Sequence, residues 1–509
     1  MERLGGIDAA FLYFETPSMH MHVCGLLVLD TSTMAGGYRF DRIRQMFLER
    51  HPLMPAMTRK LVVPPFNLGR PSWVTDPDFD IDYHLRRIAV PSPGGPRELA
   101  DVAGAIASRP LDRARPLWEM WVVEGLADGN VAIFAKMHHA TIDGITGANL
   151  MMHLFDLEAR PAAPPEIPEA PAAERIPGEL ELFGRGALET IVRPLDMARL
   201  VPGTVVRLAG TLLSAGRRRG QRVAAPFTAP RTSFNAAITP HRTIAFTEVS
   251  LEAVKEVKDA FGCKVNDVVT ALVSGALRRY LAEGDELPDK SLIAAVPVSV
   301  HDQTADAEGT TKLSVMFSSL LTDIEDPVER LRAIAESNAE AKDLYNMVGA
   351  ETLMQWAEHA APNTFSLAAR LYSSLRLSER HPVLHNMIIS NVPGPPIPLY
   401  MAGARLLGLF PLGPIMDGAG LNVTVLSNED RIGFGLIACR ELVPRLWDLA
   451  EALPHALDEL VRAAGGGDAG DNGARSRPAP RRRAPQGAAR SSPAASSESV
   501  TNRRTAPDQ

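Results

Sequence analysis

The chain has 509 residues, 45% of them apolar and 22% charged, so it can bury a large core without disulfides or a structural metal. A formal net charge of -7 excludes a global basic field of the kind that draws a protein to nucleic acid, and no nucleic-acid partner is expected. The three cysteines, Cys24, Cys263 and Cys439, are odd in number and lack metal-type spacing, which excludes a disulfide framework and fits a reducing cytoplasm.

The N-terminal MERLGGIDAAFLYFE has no basic stretch leading into an apolar run, so no secretory signal is expected. GLLVLD at 25–30 has strand character. YRFDRIRQMFLERHP at 38–52 predicts an amphipathic helix with Phe40, Ile43, Phe47 and Leu48 on one face. VAIFAKMHH at 131–139 predicts a strand, and 144–158 has helical spacing. The first region therefore spans 1–158. Repeated prolines in ARPAAPPEIPEAPAAERIPG forbid a regular helix or central strand and open a connector and basic linker over 159–243. TIAFTEVS at 243–250 begins a second globular region, 244–464. Two helices follow; the second places Val268, Leu272, Ala276 and Tyr280 beside Val269, Val273, Leu277 and Leu281, a broad buried stripe. SLIAAVPVSV and RIGFGLIAC predict strands, and 444–464 a closing helix. Residues 465–509 carry eight arginines against four acids and few large apolar side chains, which predicts disorder. No run of about 18 uninterrupted apolar residues occurs, so no spanning helix is expected.

The densest chemistry is KMHHATIDG at 136–144. His138 and His139 end an apolar strand, Asp143 follows four residues after His139, and Gly144 opens the next helix. Histidine suits proton transfer near neutral pH, and a strand end exposes it to a cleft on a rigid scaffold. Adjacent strand residues point to opposite faces, so the pair cannot easily chelate one metal ion, and none is expected. Residue chemistry alone leaves two readings open: catalysis, or a buried polar turn in which Asp143 caps the helix.

KMHHATIDG resembles the His-His-x-x-x-Asp-Gly signature of the wax ester synthase/acyl-CoA:diacylglycerol acyltransferase family, within the HxxxD acyltransferase superfamily. PSMHMHV at 17–23, RPLWEMWVVEGL at 115–126, NDVVTALVSGALRRYL at 266–281, SNVPGP at 390–395 and LNVTVLSNEDRIGFGLIACRE at 421–441 are similar to it too, in order across about 1–464. The resemblance implies a mixed α/β fold of two chloramphenicol-acetyltransferase-like domains with a channel between them. It implies an acyltransferase that takes long-chain acyl-CoA as co-substrate, needs no cofactor, and acylates diacylglycerol or a fatty alcohol. His139 would be the general base, His138 a supporting residue, and Asp143 a brace. Asn266 and Asp267 match the family's Asn-Asp motif; helix capping and a direct site role are both open for them. Ser390 and Asn391 would line the channel or form the turn before Pro393. Trp118 and Trp121 read as core.

Because diacylglycerol barely dissolves in water, the chain is expected to work on the inner face of a membrane or on a lipid droplet. Residues 195–222, with Arg217, Arg218, Arg219 and Arg222, are the expected docking segment, or else a stretch packed across the domains. Competing functions are a carrier-protein-dependent condensation enzyme and a non-catalytic lipid-coating protein.

Overall fold

Two six-stranded mixed sheets carry the fold in the computed structural model, which describes residues 2–142, 150–160, isolated positions between 178 and 184, 224, 226–300, 312–348 and 362–466. Asp143, Gly144, the docking segment 195–222, and most of the connector and tail lie outside the described residues.

The first half supplies β1 (Glu2–Arg3), β2 (His22–Asp30), β3 (Arg59–Val62), β4 (Ser72–Thr75), β5 (Leu85–Ala89), β6 (Trp118–Glu124) and β7 (Val131–His138). The second half supplies β8 (Arg242–Ser250), β9 (Ile293–Val300), β10 (Lys312–Ser319), β11 (Met387–Val392), β12 (Tyr400–Met401), β13 (Ala404–Leu412), β14 (Leu421–Asn428) and β15 (Arg431–Cys439). The helices are α1 (Gly6–Phe14), α2 (Phe40–Arg50), α3 (Ile81–His84), α4 (Pro96–Ala107), α5 (Leu251–Phe261), α6 (Val265–Glu283), α7 (Pro327–Val348), α8 (Pro362–Ser374) and α9 (Leu446–Gly466).

The first sheet runs β12-β13-β2-β7-β6-β5 and the second β10-β9-β11-β14-β15-β8; β1, β4 and β3 form a small third sheet. Strand β7 is apolar on both faces because both are covered. Val131, Ile133 and Met137 enter one core cluster, and Ala132 and Phe134 enter the other. Each such large side chain, once buried, contributes about 1.5–3 kcal/mol. Lys136 interrupts the run yet is fully buried, so its charge must be paired. Nζ lies 3.1 Å from Glu119, its cross-strand partner, and donates to the carbonyls of Ile106 and Arg109.

The chain leaves the second sheet after β11, adds β12 and β13 to the first sheet, and returns as β14. Strand β13 pairs antiparallel with β2, from Arg405 opposite Asp30 to Leu412 opposite Cys24. The sequence boundaries at 158 and 244 therefore do not delimit the first sheet, whose last two strands come from residues 400–412. Residues 1–465 form one compact unit. The two sheets meet where the carbonyls of Leu409 and Pro411 press against Gly433 and Gly435, positions that an added Cβ would overlap. Helix α4 also crosses to the second sheet, its Gly104 lying against the Arg242 carbonyl.

The apolar stripe of α6 is buried at all eight expected positions. Helix α5 is capped by Ser250, whose Oγ accepts the Ala253 N–H, and ends at Gly262 in the left-handed region. Among the described residues, no single helix is long and apolar enough to cross a membrane. The bent pair α5–α6 is apolar because much of it packs into the second core.

Candidate active site

Strand β7 ends at His138, which pairs in register with His22 of β2. Beyond it the backbone turns: the Thr141 N–H donates to the His138 carbonyl, and the His139 N–H donates to the Met21 carbonyl, 2.9 Å in each case. The two rings have different surroundings, as the strand geometry predicts.

The His138 ring is buried. Its Nδ1 accepts the Ala140 N–H at 3.0 Å, and its Nε2 faces the Glu15 carboxylate at 3.5 Å. Glu15 in turn receives Arg113, whose Nε donates at 2.9 Å. Burial works against the Glu15 charge, but the His138 contact and the Arg113 guanidinium outweigh it and hold the carboxyl below its ordinary range.

The His139 ring stacks on Phe11, with centroids 3.9 Å apart and planes 17° from parallel. Burial pushes its pKa down to about 4, and the neighbouring His138 adds to the depression. The free ring is therefore neutral near pH 7. A contact of the ring with its own backbone carbonyl works against that depression.

Behind this pair lies a row of buried histidines. His20 stacks on His22 at 5.2 Å, and His22 meets His138 edge-on at 6.5 Å. Burial, aided by the Arg242 charge, lowers His20 to about 4; burial and Lys136 hold His22 well below its usual value. A cavity of about 10 Å³ in the seam between the sheets is lined by His20, His22, Cys24, Arg242, Gly413 and Ile437 among others.

A second group joins α6 to β11. The Asn391 side-chain amide donates to the Asn266 side-chain oxygen. Asp267 accepts the Lys264 N–H at 2.9 Å and the Asn338 amide at 2.9 Å, and Asn338 accepts Ser318. No hydrogen bond links this group to the histidine pair among the described residues.

Residues 4–269 match the wax ester synthase/diacylglycerol acyltransferase catalytic domain, and 311–461 match the C-terminal domain of the same family. A Mycobacterium tuberculosis protein named for diacylglycerol O-acyltransferase activity is 44% identical over 478 residues, covering 93% of this chain and 92% of its own. A second one from that organism, also named for that activity, is 36% identical, with 90% and 98% covered. The chain belongs to the wax ester synthase/diacylglycerol acyltransferase family.

As a member of this family it is an acyltransferase. The wax ester synthase/diacylglycerol acyltransferase from Marinobacter aquaeolei superposes with a TM-score of 0.66 at 30% identity, covering 91% of this chain and all of that one. The first condensation domain of the calcium-dependent antibiotic synthetase shares the fold at a TM-score of 0.51 and 14% identity, over 91% of this chain and 96% of the domain. The mixed α/β fold is thus the one expected.

Two local expectations are corrected within this family framework. Asn266 does not cap α6. The helix starts at Val265 with Lys264 at the cap, and Asp267 closes a capping box onto the Lys264 N–H, leaving the Asn266 side chain for Asn391. Ser390 and Asn391 are not turn residues; they continue β11, opposite Thr424 and Val425 of β14. Trp118 is core as expected, its Nε1 donating to the Met57 carbonyl, whereas Trp121 is half-buried. Sequence reasoning missed Phe11, Glu15 and Arg113. The spacing of Phe11 and Glu15, one helical turn apart, was the only signal available, and it becomes informative only once α1 is seen against the histidines.

Proposed function

We propose that this acyltransferase moves a long-chain acyl group from acyl-CoA to the free hydroxyl of diacylglycerol, with His139 as general base. The observation that carries this reading is the state of His139: a neutral ring just past the end of β7, oriented by Phe11, beside a His138 whose Nδ1 is already occupied. His139 takes the acceptor's proton as its oxygen attacks the thioester carbonyl. The carbon–sulfur bond then breaks, and the same proton passes to the departing CoA thiolate. Because burial keeps the ring neutral, no proton has to leave before the reaction begins. By their places in the motif, Asp143 is assigned the role of brace and Gly144 that of the flexible position; both lie outside the described residues. Asn266 and Asn391 hold each other's amides, by the motif a second part of the site.

The matched relatives named for diacylglycerol O-acyltransferase activity support diacylglycerol as the acceptor. The Marinobacter relative's name gives a specific reason to include wax ester synthesis from a fatty alcohol as a second activity. Both acceptors are apolar, so the enzyme collects them at a membrane or lipid-droplet surface. Purified protein given radiolabelled palmitoyl-CoA with either dioleoylglycerol or hexadecanol, the products resolved by chromatography, tests this reading. Labelled triacylglycerol is the expected main product. Transfer to neither acceptor would overturn the assignment.

A further inference from the structure

Helix α1 does more than pack. Phe11 lies in its last turn, and Glu15, four positions on, is the extended residue that ends it; the two present one face. That face addresses both histidines: Phe11 stacks on His139, and the Glu15 carboxylate meets His138. Arg113 fastens the helix end, donating to the Leu12 carbonyl at 2.9 Å as well as to Glu15.

The protons on His138 follow from its partners. A neutral imidazole carries one N–H and one lone pair. The Ala140 N–H points at Nδ1, so Nδ1 must offer the lone pair and the proton must sit on Nε2. That buried N–H faces Glu15 at 3.5 Å, a long contact that orients by charge rather than by a tight bond. Arg113 keeps the carboxylate ionised in spite of its burial.

We propose that Glu15 is a positioning residue: it keeps the proton on His138 Nε2, which leaves Nδ1 to accept the Ala140 N–H and so fixes the peptide that carries His139. Without the carboxylate, the proton is free to move to Nδ1, where it would oppose the Ala140 N–H and release the turn. This proposal rests on the reading of His139 as the base.

The test is a double-mutant cycle of Glu15→Ala and His138→Ala, with His139→Ala as control, measured as kcat and KM with palmitoyl-CoA and dioleoylglycerol. Each of the two cycle variants should lower kcat by about 10- to 100-fold, the range seen when carboxylates that orient metal-bound imidazoles are removed, with KM for acyl-CoA nearly unchanged. The double variant should be no worse than the poorer single one, because Glu15 acts through His138. Losses that multiply would overturn the proposal. Histidine-selective nitrogen-15 NMR supplies the second reading: His138 should show the Nε2–H tautomer in the wild type and lose it in Glu15→Ala. An unchanged tautomer would overturn the proposal as well. Should Glu15→Ala not fold, Glu15→Gln carries the test. It keeps the side-chain shape but removes the charge that orients Nε2–H, so it should weaken that signature and lower kcat by about 10-fold, and retention of both at the wild-type level defeats the idea. If His139→Ala retains turnover, the base assignment falls by itself, while the NMR comparison still reports whether Glu15 sets the His138 tautomer.

Discussion

Mild acid should destabilise this protein through histidines that fold in their neutral form. Burial lowers His20, His139 and His385 to about 4, His22 well below its usual value, and His84 in the same direction. In the unfolded chain each titrates near its ordinary value, about 6.5. Between those values the unfolded state binds more protons, so this stability is present above about pH 6.5 and is lost as pH falls toward 4. From about pH 7.5 to about pH 5.5, linkage gives between 1 and 2 kcal/mol per strongly shifted histidine, or about 5 kcal/mol for His20, His22, His139 and His385. With an unfolding entropy of about 2.1 cal/mol/K per residue, over the 465 residues of the folded unit, that lowers Tm by about 5 °C. Scanning fluorimetry across this pH range measures it. His385→Gln removes one titrating group and should shrink the drop by about a quarter. A Tm that stays level or rises toward about pH 5.5 would refute the reasoning, since exposed histidines carry no such linkage.

Other consequences follow from the same geometry. Because burial lowers His139 to about 4 in the free enzyme, kcat/KM should vary less than about twofold between about pH 7.5 and about pH 5.5; a tenfold fall would mark a base with the ordinary histidine value. Gly435→Ala should cost about 1–3 kcal/mol in denaturant titrations, because its Cβ overlaps the Pro411 carbonyl where the sheets meet; a variant as stable as wild type would mean that the seam yields. Asp267→Ala should cost about 1–2 kcal/mol, losing the capping box and the Asn338 bond together; an unchanged midpoint would show that water replaces both.

What the sequence disclosed depended on how local the cause was. Strands β2, β7, β8 and β15, helix α2 and the stripe of α6 announce themselves because periodicity and burial act over a few residues. The passage of β12 and β13 into the first sheet was invisible: β13 finds its partner β2 hundreds of residues away, and no local pattern specifies that pairing. At Asn266 a favourable cap residue lost out, since Asp267 reaches back to Lys264 and the cap lies two residues earlier. Ser390 and Asn391 look like turn formers before Pro393, but parallel pairing with β14 carries the strand through Val392 before the chain turns. The histidine pair was legible as a motif. Its supports were not, because Arg113 and Glu15 meet across 98 residues of sequence and gain meaning only against a folded His138.

The central claim is that His139, and not His138, handles the acceptor's proton. Single-turnover transfer of labelled acyl groups from acyl-CoA to diacylglycerol, compared for His139→Ala, His138→Ala and wild type at matched folding, tests it most directly. The account predicts that His139→Ala loses at least about 100-fold in the transfer step and that His138→Ala loses less. Transfer at the wild-type rate in His139→Ala, or a larger loss in His138→Ala, would contradict it.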